Sequence, residues 1–304
     1  MKALVLGVSG FLGSYAGFAL SKAGWDATGA SRSPTRGYSQ TLDVPSLSDI
    51  PSAIRSEPWD AIVNCVAIAN HEQCEDDPAE ARRVNAELPG EWAEHARENG
   101  SRFVHFSTDA VFDGSSRGAY REDDVANAPS VYGQTKRAGE TAVLGANPEA
   151  LVFRTNFFGW SADGGKGILD FFANGLSTST PMTGFRDYVV SSLYVGHLFE
   201  LMLEALQMER GGIYHLVSST PLSKYDFGVA LAHAMDADAD VINPGLLADN
   251  PALSNRGHHL GLSVEKLEGL VGHSIPSTEE GIRAALQERQ AVMDYFGSER
   301  AAGE

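Results

Sequence analysis

Cysteine is nearly absent from this sequence. Only Cys65 and Cys74 occur in 304 residues, which supports neither a disulfide framework nor a zinc-binding pattern. The pair His258-His259, and also His233 and His273, have no partner at the spacing of metal ligands. We therefore expect two ordinary reduced thiols and no metal site.

Basic residues and long apolar runs are also scarce. The chain has 23 Lys and Arg against 40 Asp and Glu, and the net charge of -17 repels nucleic-acid phosphates. No apolar run is long enough to cross a bilayer. The first run begins at Ala3, directly after Met1 and Lys2, which leaves no room for a signal peptide. We expect a cytoplasmic protein that binds neither nucleic acid nor membranes.

The first 155 or so residues alternate short apolar runs with segments of helical periodicity. This alternation is typical of a Rossmann-type, doubly wound parallel sheet in an α/β fold. A helix is predicted from about Pro78 to Asn99, where apolar residues recur at helical intervals. The predicted strands are Ala3 to Leu6, Ala27 to Ala30, Ala61 to Val66, Phe103 to Phe106 and Ala150 to Arg154.

After about residue 155 the pattern changes. A helix from Leu193 to Leu206 precedes a strand over Ile213 to Val217, which we expect to rejoin the main sheet. The predicted nucleotide-binding domain therefore comprises residues 1–158 and about 190–219. A smaller, discontinuous substrate-binding lobe would comprise about 159–189 and 220–304.

The first turn carries a glycine at every third position. Gly7, Gly10 and Gly13 follow a predicted strand and open a helix, where bare backbone can approach a pyrophosphate. The predicted site includes Ser9, Phe11 and Leu12 of the same turn. The second strand runs into Ser31-Arg32-Ser33 instead of an acid, and a guanidinium flanked by hydroxyls suits a 2′-phosphate. The sequence therefore favours NADP(H) over NAD(H), with an exposed loop arginine as the alternative.

A phenol and an ammonium lie four residues apart in Tyr132-Gly133-Gln134-Thr135-Lys136, on one face of a predicted helix. A cation lowers the pKa of a neighbouring phenol, which suits proton transfer to a carbonyl that receives hydride. Ser107 and Thr108 end the fourth predicted strand, at the sheet edge where ligands bind. A hydroxyl there can donate to the same carbonyl oxygen. Turn capping is the alternative role of these two hydroxyls.

Together these motifs resemble the extended short-chain dehydrogenases/reductases, and within them most closely the dTDP-4-dehydrorhamnose reductase family. The resemblance covers Met1 to roughly Ser219, and its most specific element is Thr-Asp-x-Val-Phe. The motifs that carry it are Gly7-x-x-Gly10-x-x-Gly13, Asn64-Cys65-Val66-Ala67, Asn85, Ser107 to Gly114 and Tyr132 to Lys136.

The resemblance implies roles for further residues. It identifies Thr108, Tyr132 and Lys136 as the catalytic set and places Asp109 at the site. Asp43, followed by Val44, would approach the adenine, and Cys65, Val66 and Ala67 would lie along the cofactor cleft. Asn85 would help to hold the lysine through water, or would be a helix-surface amide.

The substrate half matches the family less closely. Ile68 replaces an aromatic residue or histidine, and Gly184 to Ser192 replaces a Gly-x-Pro-Thr segment. Asn156, Trp160 and Arg186 are candidate substrate contacts, and His71 or Glu72 could contribute another. The expected reaction is NADPH-dependent reduction of a keto group on a nucleotide-linked deoxysugar. An epimerase or dehydratase with a recycled cofactor, or a non-catalytic NADP-binding regulatory subunit, is the alternative. The partner considered is a second copy of this chain in a homodimer, although no feature of the sequence specifies the oligomeric state.

Overall fold

The structure is a computed structural model that describes residues 1–31, 38, 40–116, 118–162, 164–165, 167–249 and 257–301. Strands and helices alternate through the first half of the chain, as the apolar pattern predicts. In chain order these elements are β1 (Lys2–Leu6), α1 (Phe11–Lys22), β2 (Asp26–Ser31), β3 (Gln40–Asp43), α2 (Ile50–Arg55), β4 (Ala61–Asn64), α3 (His71–Asp76), α4 (Pro78–Arg82), α5 (Leu88–Glu98), β5 (Arg102–Thr108), α6 (Val131–Ala146) and β6 (Leu151–Thr155).

In the described part of the chain, the second half contains shorter strands and five more α-helices. These elements are β7 (Phe157–Phe158), α7 (Ile168–Ser177), β8 (Met182–Phe185), β9 (Val189–Val190), β10 (Leu193–Tyr194), α8 (Val195–Gln207), β11 (Gly212–Leu216), β12 (Leu222–Ser223), α9 (Lys224–Ala234), β13 (Ile242–Gly245), β14 (His259–Leu260), α10 (Glu265–Val271) and α11 (Thr278–Ala301). None of the described helices has the length and apolar character needed to cross a membrane.

The central sheet has seven strands in the order β11-β6-β5-β4-β1-β2-β3, and every neighbouring pair is parallel. This confirms the predicted Rossmann-type α/β fold. The chain starts at β1 in the sheet, moves outward to β3, and then continues from β4 on the other side of β1. The reversal of direction beside β1 is the position where open α/β sheets bind ligands.

Two apolar clusters lie on opposite faces of this sheet. Consecutive residues of β1 show the division: Val5 belongs to the cluster that contains residues of α1 and α8, while Leu4 belongs to the cluster that contains residues of α2 and α5. The period of two along a strand sends successive side chains to opposite faces, so a strand buried on both faces is apolar throughout. This explains why the strand-forming runs in the sequence are largely apolar.

Three features of the fold differ from the sequence prediction. The predicted helix over Pro78 to Asn99 is interrupted by a π-helical turn at Arg83–Glu87. The edge strand β3 was not predicted, because its four residues, Gln-Thr-Leu-Asp, contain a single aliphatic side chain. The predicted strand Ala61 to Val66 ends at Asn64, where the chain turns toward the glycine turn. The predicted return of the chain to the main sheet is observed, since β11 pairs with β6.

Candidate active site

The glycine turn connects β1 to α1 at the carboxyl edge of the sheet. Gly7 has a φ of +80°, in the left-handed region that favours glycine, and its carbonyl accepts the Gly10 amide at 3.1 Å. A Cβ atom on Gly13 would press on the Gly7 carbonyl and lie 2.8 Å from the Val8 Cα atom. Both glycines are therefore required by the geometry, which brings the N-terminus of α1 onto the strand end.

A cavity of about 860 Å³ begins at this turn. Its lining includes Gly7, Ser9 and Gly10 of the glycine turn and Leu88 at the start of α5. Eight of the predicted cofactor residues line it, namely Gly7, Ser9, Gly10, Ser31, Val44, Cys65, Val66 and Ala67. The predicted 2′-phosphate contact Arg32 lies outside the described residues.

Other predicted cofactor residues lie beside this cavity without lining it. Leu12 is buried in the core and the Phe11 ring packs on Phe157, with ring centroids 5.7 Å apart. Asp43 is exposed at the end of β3, in register with Ser31. The wall also contains hydroxyl groups that the sequence reasoning missed, those of Ser46 and Ser48, and the guanidinium of Arg83.

Asn85 is fully buried and is not a helix-surface amide. Its Oδ1 accepts the Ile68 amide at 2.9 Å, and its Nδ2 donates to the Ile68 carbonyl at 3.0 Å and to Thr135 Oγ1 at 3.2 Å. One side chain therefore holds the loop after β4 against α6. The expected contact of Asn85 with Lys136 through water stays a prediction.

A second cavity of about 410 Å³ lies beyond the first. The two cavities are adjacent, because Ile68 lines the first and the next residue, Ala69, lines the second. Thr108, Asp109, Tyr132 and Asn156 all line the second one, so four predicted catalytic or substrate residues meet there.

Tyr132 and Thr108 are brought together by the docking of α6 on β5. Burial raises the pKa of the Tyr132 phenol to about 12, while a hydrogen bond with the Thr108 side chain opposes this shift. Thr108 Oγ1 also accepts the Ala110 amide at 3.2 Å, so this hydroxyl caps the turn over Asp109–Val111 as well as facing the phenol. The alternative role, turn capping, is therefore observed, and the catalytic role of Thr108 stays a prediction.

Lys136 is buried one helical turn after Tyr132, and its Nζ donates to the Phe106 carbonyl at 2.6 Å. Burial lowers the pKa of this ammonium to about 8, and the Glu140 carboxylate opposes the shift. The lysine is therefore protonated at neutral pH but close to its midpoint.

Asp109 is buried beside Thr108. Its Oδ1 accepts the Thr108 hydroxyl at 3.1 Å and its Oδ2 accepts Asn156 Nδ2 at 2.8 Å. Burial raises the pKa of this carboxyl to about 6, and the two hydrogen bonds oppose the shift. Asp109 and Asn156 thus form a hydrogen-bonded polar pair that lines the same cavity as the phenol.

Two predicted substrate contacts, Trp160 and Arg186, do not line either cavity in the described part of the chain. Trp160 is buried, donates from Nε1 to the Ala285 carbonyl at 2.6 Å, and stacks under Arg289. The indole of Trp160 is thus packed against α11. Arg186 is exposed and lies over the Tyr225 ring at 4.6 Å.

Ser107 also points away from both cavities. Its hydroxyl donates to Glu140 Oε1 at 2.7 Å on the buried side of β5. Successive residues of a strand face opposite sides, so the neighbouring side chains of Ser107 and Thr108 point in different directions. Both hydroxyls were predicted to lie at the ligand site, but only Thr108 lines one of the two cavities.

His71, which the sequence offered as a further substrate contact, lines the second cavity. Its ring packs on that of Tyr132, with centroids 4.7 Å apart, and Glu72 lines the same space. Tyr188 and Leu260 close the cavity from the C-terminal half of the chain, and no local motif marked them. Within the described residues, no cluster of three or more His, Cys, Asp or Glu side chains could hold a metal ion.

Three features of this structure are those of the extended short-chain dehydrogenases/reductases. They are the doubly wound parallel sheet, the glycine turn at its reversal point, and the Tyr-x-x-x-Lys helix that faces a threonine at the end of a strand. The family model described as the RmlD substrate binding domain matches residues 1–291, and the chain belongs to that family.

Comparisons with individual proteins agree with this assignment. The chain is 30% identical to "Probable low-salt glycan biosynthesis reductase Agl14" of Haloferax volcanii over 301 residues, 97% of this chain and 99% of that protein. It is 30% identical over 240 residues to a dTDP-4-dehydrorhamnose reductase of Mycolicibacterium smegmatis, 77% of this chain and 69% of that protein.

A solved structure shares the fold. The dTDP-4-dehydrorhamnose reductase of Bacillus anthracis, in complex with NADP, has a TM-score of 0.84 and 21% identity, with 94% of this chain and 99% of that chain covered. At this identity the likeness establishes the fold.

Proposed function

We propose that this protein is an NADPH-dependent reductase that acts on a keto group of a nucleotide-linked deoxysugar. The observation that carries the proposal is the second cavity, where the Tyr132 phenol and the Thr108 hydroxyl face the same space. This cavity adjoins the cleft that starts at the glycine turn. A carbonyl in the cavity would therefore lie between a proton donor and the end of a bound dinucleotide.

The residues of the first cavity fit a dinucleotide. The closely packed glycines leave bare backbone at the N-terminus of α1, which suits a pyrophosphate. Ser31 and Val44 lie where the second strand ends, and would hold the adenosine portion, with Arg32 as the proposed contact of the 2′-phosphate. Cys65, Val66 and Ala67 would line the path toward Tyr132. When bound, NADPH supplies the hydride that reduces the carbonyl carbon.

The side chains of the second cavity would supply the proton and orient the carbonyl. With a pKa of about 12, the Tyr132 phenol is protonated at neutral pH and can donate to the developing alkoxide. The Thr108 hydroxyl lines the same cavity and, on turning from Asp109 to the substrate oxygen, would stabilise the charge. The Lys136 ammonium, one turn away, would stabilise the phenolate left after transfer.

We infer the substrate class from the names of the relatives. Proteins 30% identical to this one are named as a glycan biosynthesis reductase and a dTDP-4-dehydrorhamnose reductase. Asp109 and Asn156 offer a carboxylate and an amide that can bind sugar hydroxyls. We extend the proposal to a division of the chain into a nucleotide-binding domain of residues 1–158 and about 190–219 and a substrate lobe. A cytoplasmic location and a homodimer stay predictions.

The decisive experiment incubates the purified protein with NADPH and a panel of nucleotide-linked 4-keto sugars and follows the loss of absorbance. Tyr132→Phe keeps the ring but removes the transferable proton, and we expect kcat to fall by about 10²–10⁴-fold with little change in NADPH affinity. An unchanged rate in this variant would contradict the assigned role. Tightly bound cofactor with no net consumption would instead favour an epimerase, a dehydratase or a binding subunit.

A further inference from the structure

Helix α6 is attached to the last three residues of β5 through one stripe of side chains. Tyr132, Lys136 and Glu140 are spaced four residues apart and therefore share a helix face. Their partners are consecutive: Tyr132 contacts the Thr108 side chain, Lys136 Nζ donates to the Phe106 carbonyl at 2.6 Å, and Glu140 accepts the Ser107 hydroxyl at 2.7 Å. The first two contacts contain the proposed catalytic groups, and the third is not used by the proposed mechanism.

The Glu140 carboxylate is completely buried and bound on several sides. Arg154, on β6, donates from Nε to Oε1 at 2.8 Å and from its terminal nitrogen to Oε2 at 2.9 Å. Arg137, on α6, donates to Oε2 at 3.1 Å and is partly exposed. The two planar groups of Glu140 and Arg154 thus form a bidentate pair, a geometry that tolerates little displacement.

Arg154 is itself held in place. Its guanidinium is 1% exposed, donates to the Glu122 carbonyl at 3.2 Å and lies over the Phe112 ring at 5.0 Å. Because Ser107 and Arg154 are direct neighbours across β5 and β6, the carboxylate of Glu140 joins α6 to both strands at one level. A shift of α6 along β5 would break all of these contacts together.

We propose that Glu140 is a positioning residue, which with Arg154 as its counter-ion fixes α6 on the end of β5 and thereby places Tyr132 and Lys136 at the cavity. The proposal rests on the proposed reductase function for its catalytic consequence. The coupling between Glu140 and Lys136 can be measured without any enzymatic turnover.

The electrostatics of Lys136 support the proposal. Apart from Glu140 on the same helix, the titratable groups that face this ammonium are the Cys65 thiol after β4, the Cys74 thiol of α3 and the His105 imidazole of β5. Burial holds the pKa values of both thiols above their ordinary range and the pKa of His105 well below it, so all three are neutral near pH 7. Glu140 is then the charged group that favours the protonated lysine, and its loss should lower the Lys136 pKa.

The test measures the titration of Lys136 directly. The sequence has only six lysines, so a protein labelled with ¹³C at the lysine ε-carbon gives few signals, and Lys136→Arg identifies the relevant one. The titration is repeated in Glu140→Gln and in the double variant Glu140→Gln/Arg154→Met. The double variant leaves no unpaired buried arginine, which removes the main reason for the single variant to unfold. Glu265→Gln, which breaks the exposed ion pair with Arg121, is the matched control.

We expect the Lys136 midpoint near pH 8 in the unaltered protein and in Glu265→Gln, and a midpoint about 1 pH unit lower in both Glu140 variants. With a keto-sugar substrate, kcat should fall about tenfold or more in the double variant while the NADPH dissociation constant changes less than about threefold. An unchanged midpoint together with an unchanged kcat in the double variant would overturn the proposal.

Two further outcomes are also decisive. If no preparation turns over any substrate, the proposed function fails, while the midpoint still decides the coupling between Glu140 and Lys136. If both Glu140 variants fail to fold, Ser107→Ala decides, because it removes the link between β5 and Glu140 without uncovering a charge. A drop in kcat of about threefold or more in that folded variant supports the positioning role, and an unchanged kcat refutes it.

Discussion

The close approach of α6 to the turn after β5 can be tested at a single glycine. A Cβ atom on Gly133 would press on the Ala110 carbonyl oxygen and lie 3.0 Å from the Ala110 carbonyl carbon and 2.6 Å from the Ala128 Cβ. Gly145 is on the same helix and has open space around its Cβ position, with nothing within 4 Å. Gly133→Ala and Gly145→Ala are therefore matched changes that differ in packing.

Their expected effects have opposite signs. Replacing glycine by alanine in a helix stabilises it by up to about 1 kcal/mol, and this gain applies at both positions. At Gly133 an added methyl group must displace backbone atoms, and such overpacking costs about 1–3 kcal/mol. We therefore expect Gly145→Ala to raise the unfolding temperature by about 1–3 °C and Gly133→Ala to lower it by a similar amount. Because Tyr132 precedes Gly133, a displacement of about 1 Å should also reduce kcat by about 10²-fold.

Thermal unfolding followed by circular dichroism measures the first effect, and initial rates at saturating NADPH measure the second. Gly145→Ala should keep the unaltered rate, because its Cβ position contacts nothing. If Gly133→Ala were as stable as Gly145→Ala and turned over substrate within about twofold of the unaltered protein, the close docking of α6 would not be what positions the phenol.

Three further predictions concern single groups. The reduction rate should fall as the pH rises through about 8, because burial lowers the Lys136 pKa to that value and the ammonium is lost above it; a rate that stays flat to pH 10 in a pH profile would contradict this. Trp160→Phe should lower the free energy of unfolding by about 1 kcal/mol in denaturant titrations, since the bond to the Ala285 carbonyl is lost, with an unchanged KM for the sugar. A raised KM for the sugar in this variant would instead indicate that Trp160 contacts the substrate. His71→Ala removes the ring that packs on Tyr132 and should raise the KM for the keto sugar about three- to tenfold without altering NADPH affinity; equal KM values would exclude a substrate contact.

Local patterns in the sequence determined the parts of the molecule that depend on neighbouring residues. Short, largely apolar runs predicted six of the seven central strands, all but β3, since a strand buried on both faces contains few polar residues. The glycine spacing located the turn after β1, and the four-residue interval placed Tyr132 and Lys136 on one helix face. These are short-range consequences of covalent geometry and helix period.

The tertiary structure decided which way each side chain points and what it meets. Whether Trp160 faced a ligand or the core depended on α11, more than a hundred residues later, whose Ala285 carbonyl binds its indole. The pairing of Glu140 with Ser107 and Arg154 depends on how α6 lies on two strands, and no local spacing specifies it. Side-chain direction is determined by the burial and hydrogen bonds available in the assembled fold, and these come from segments distant in the chain.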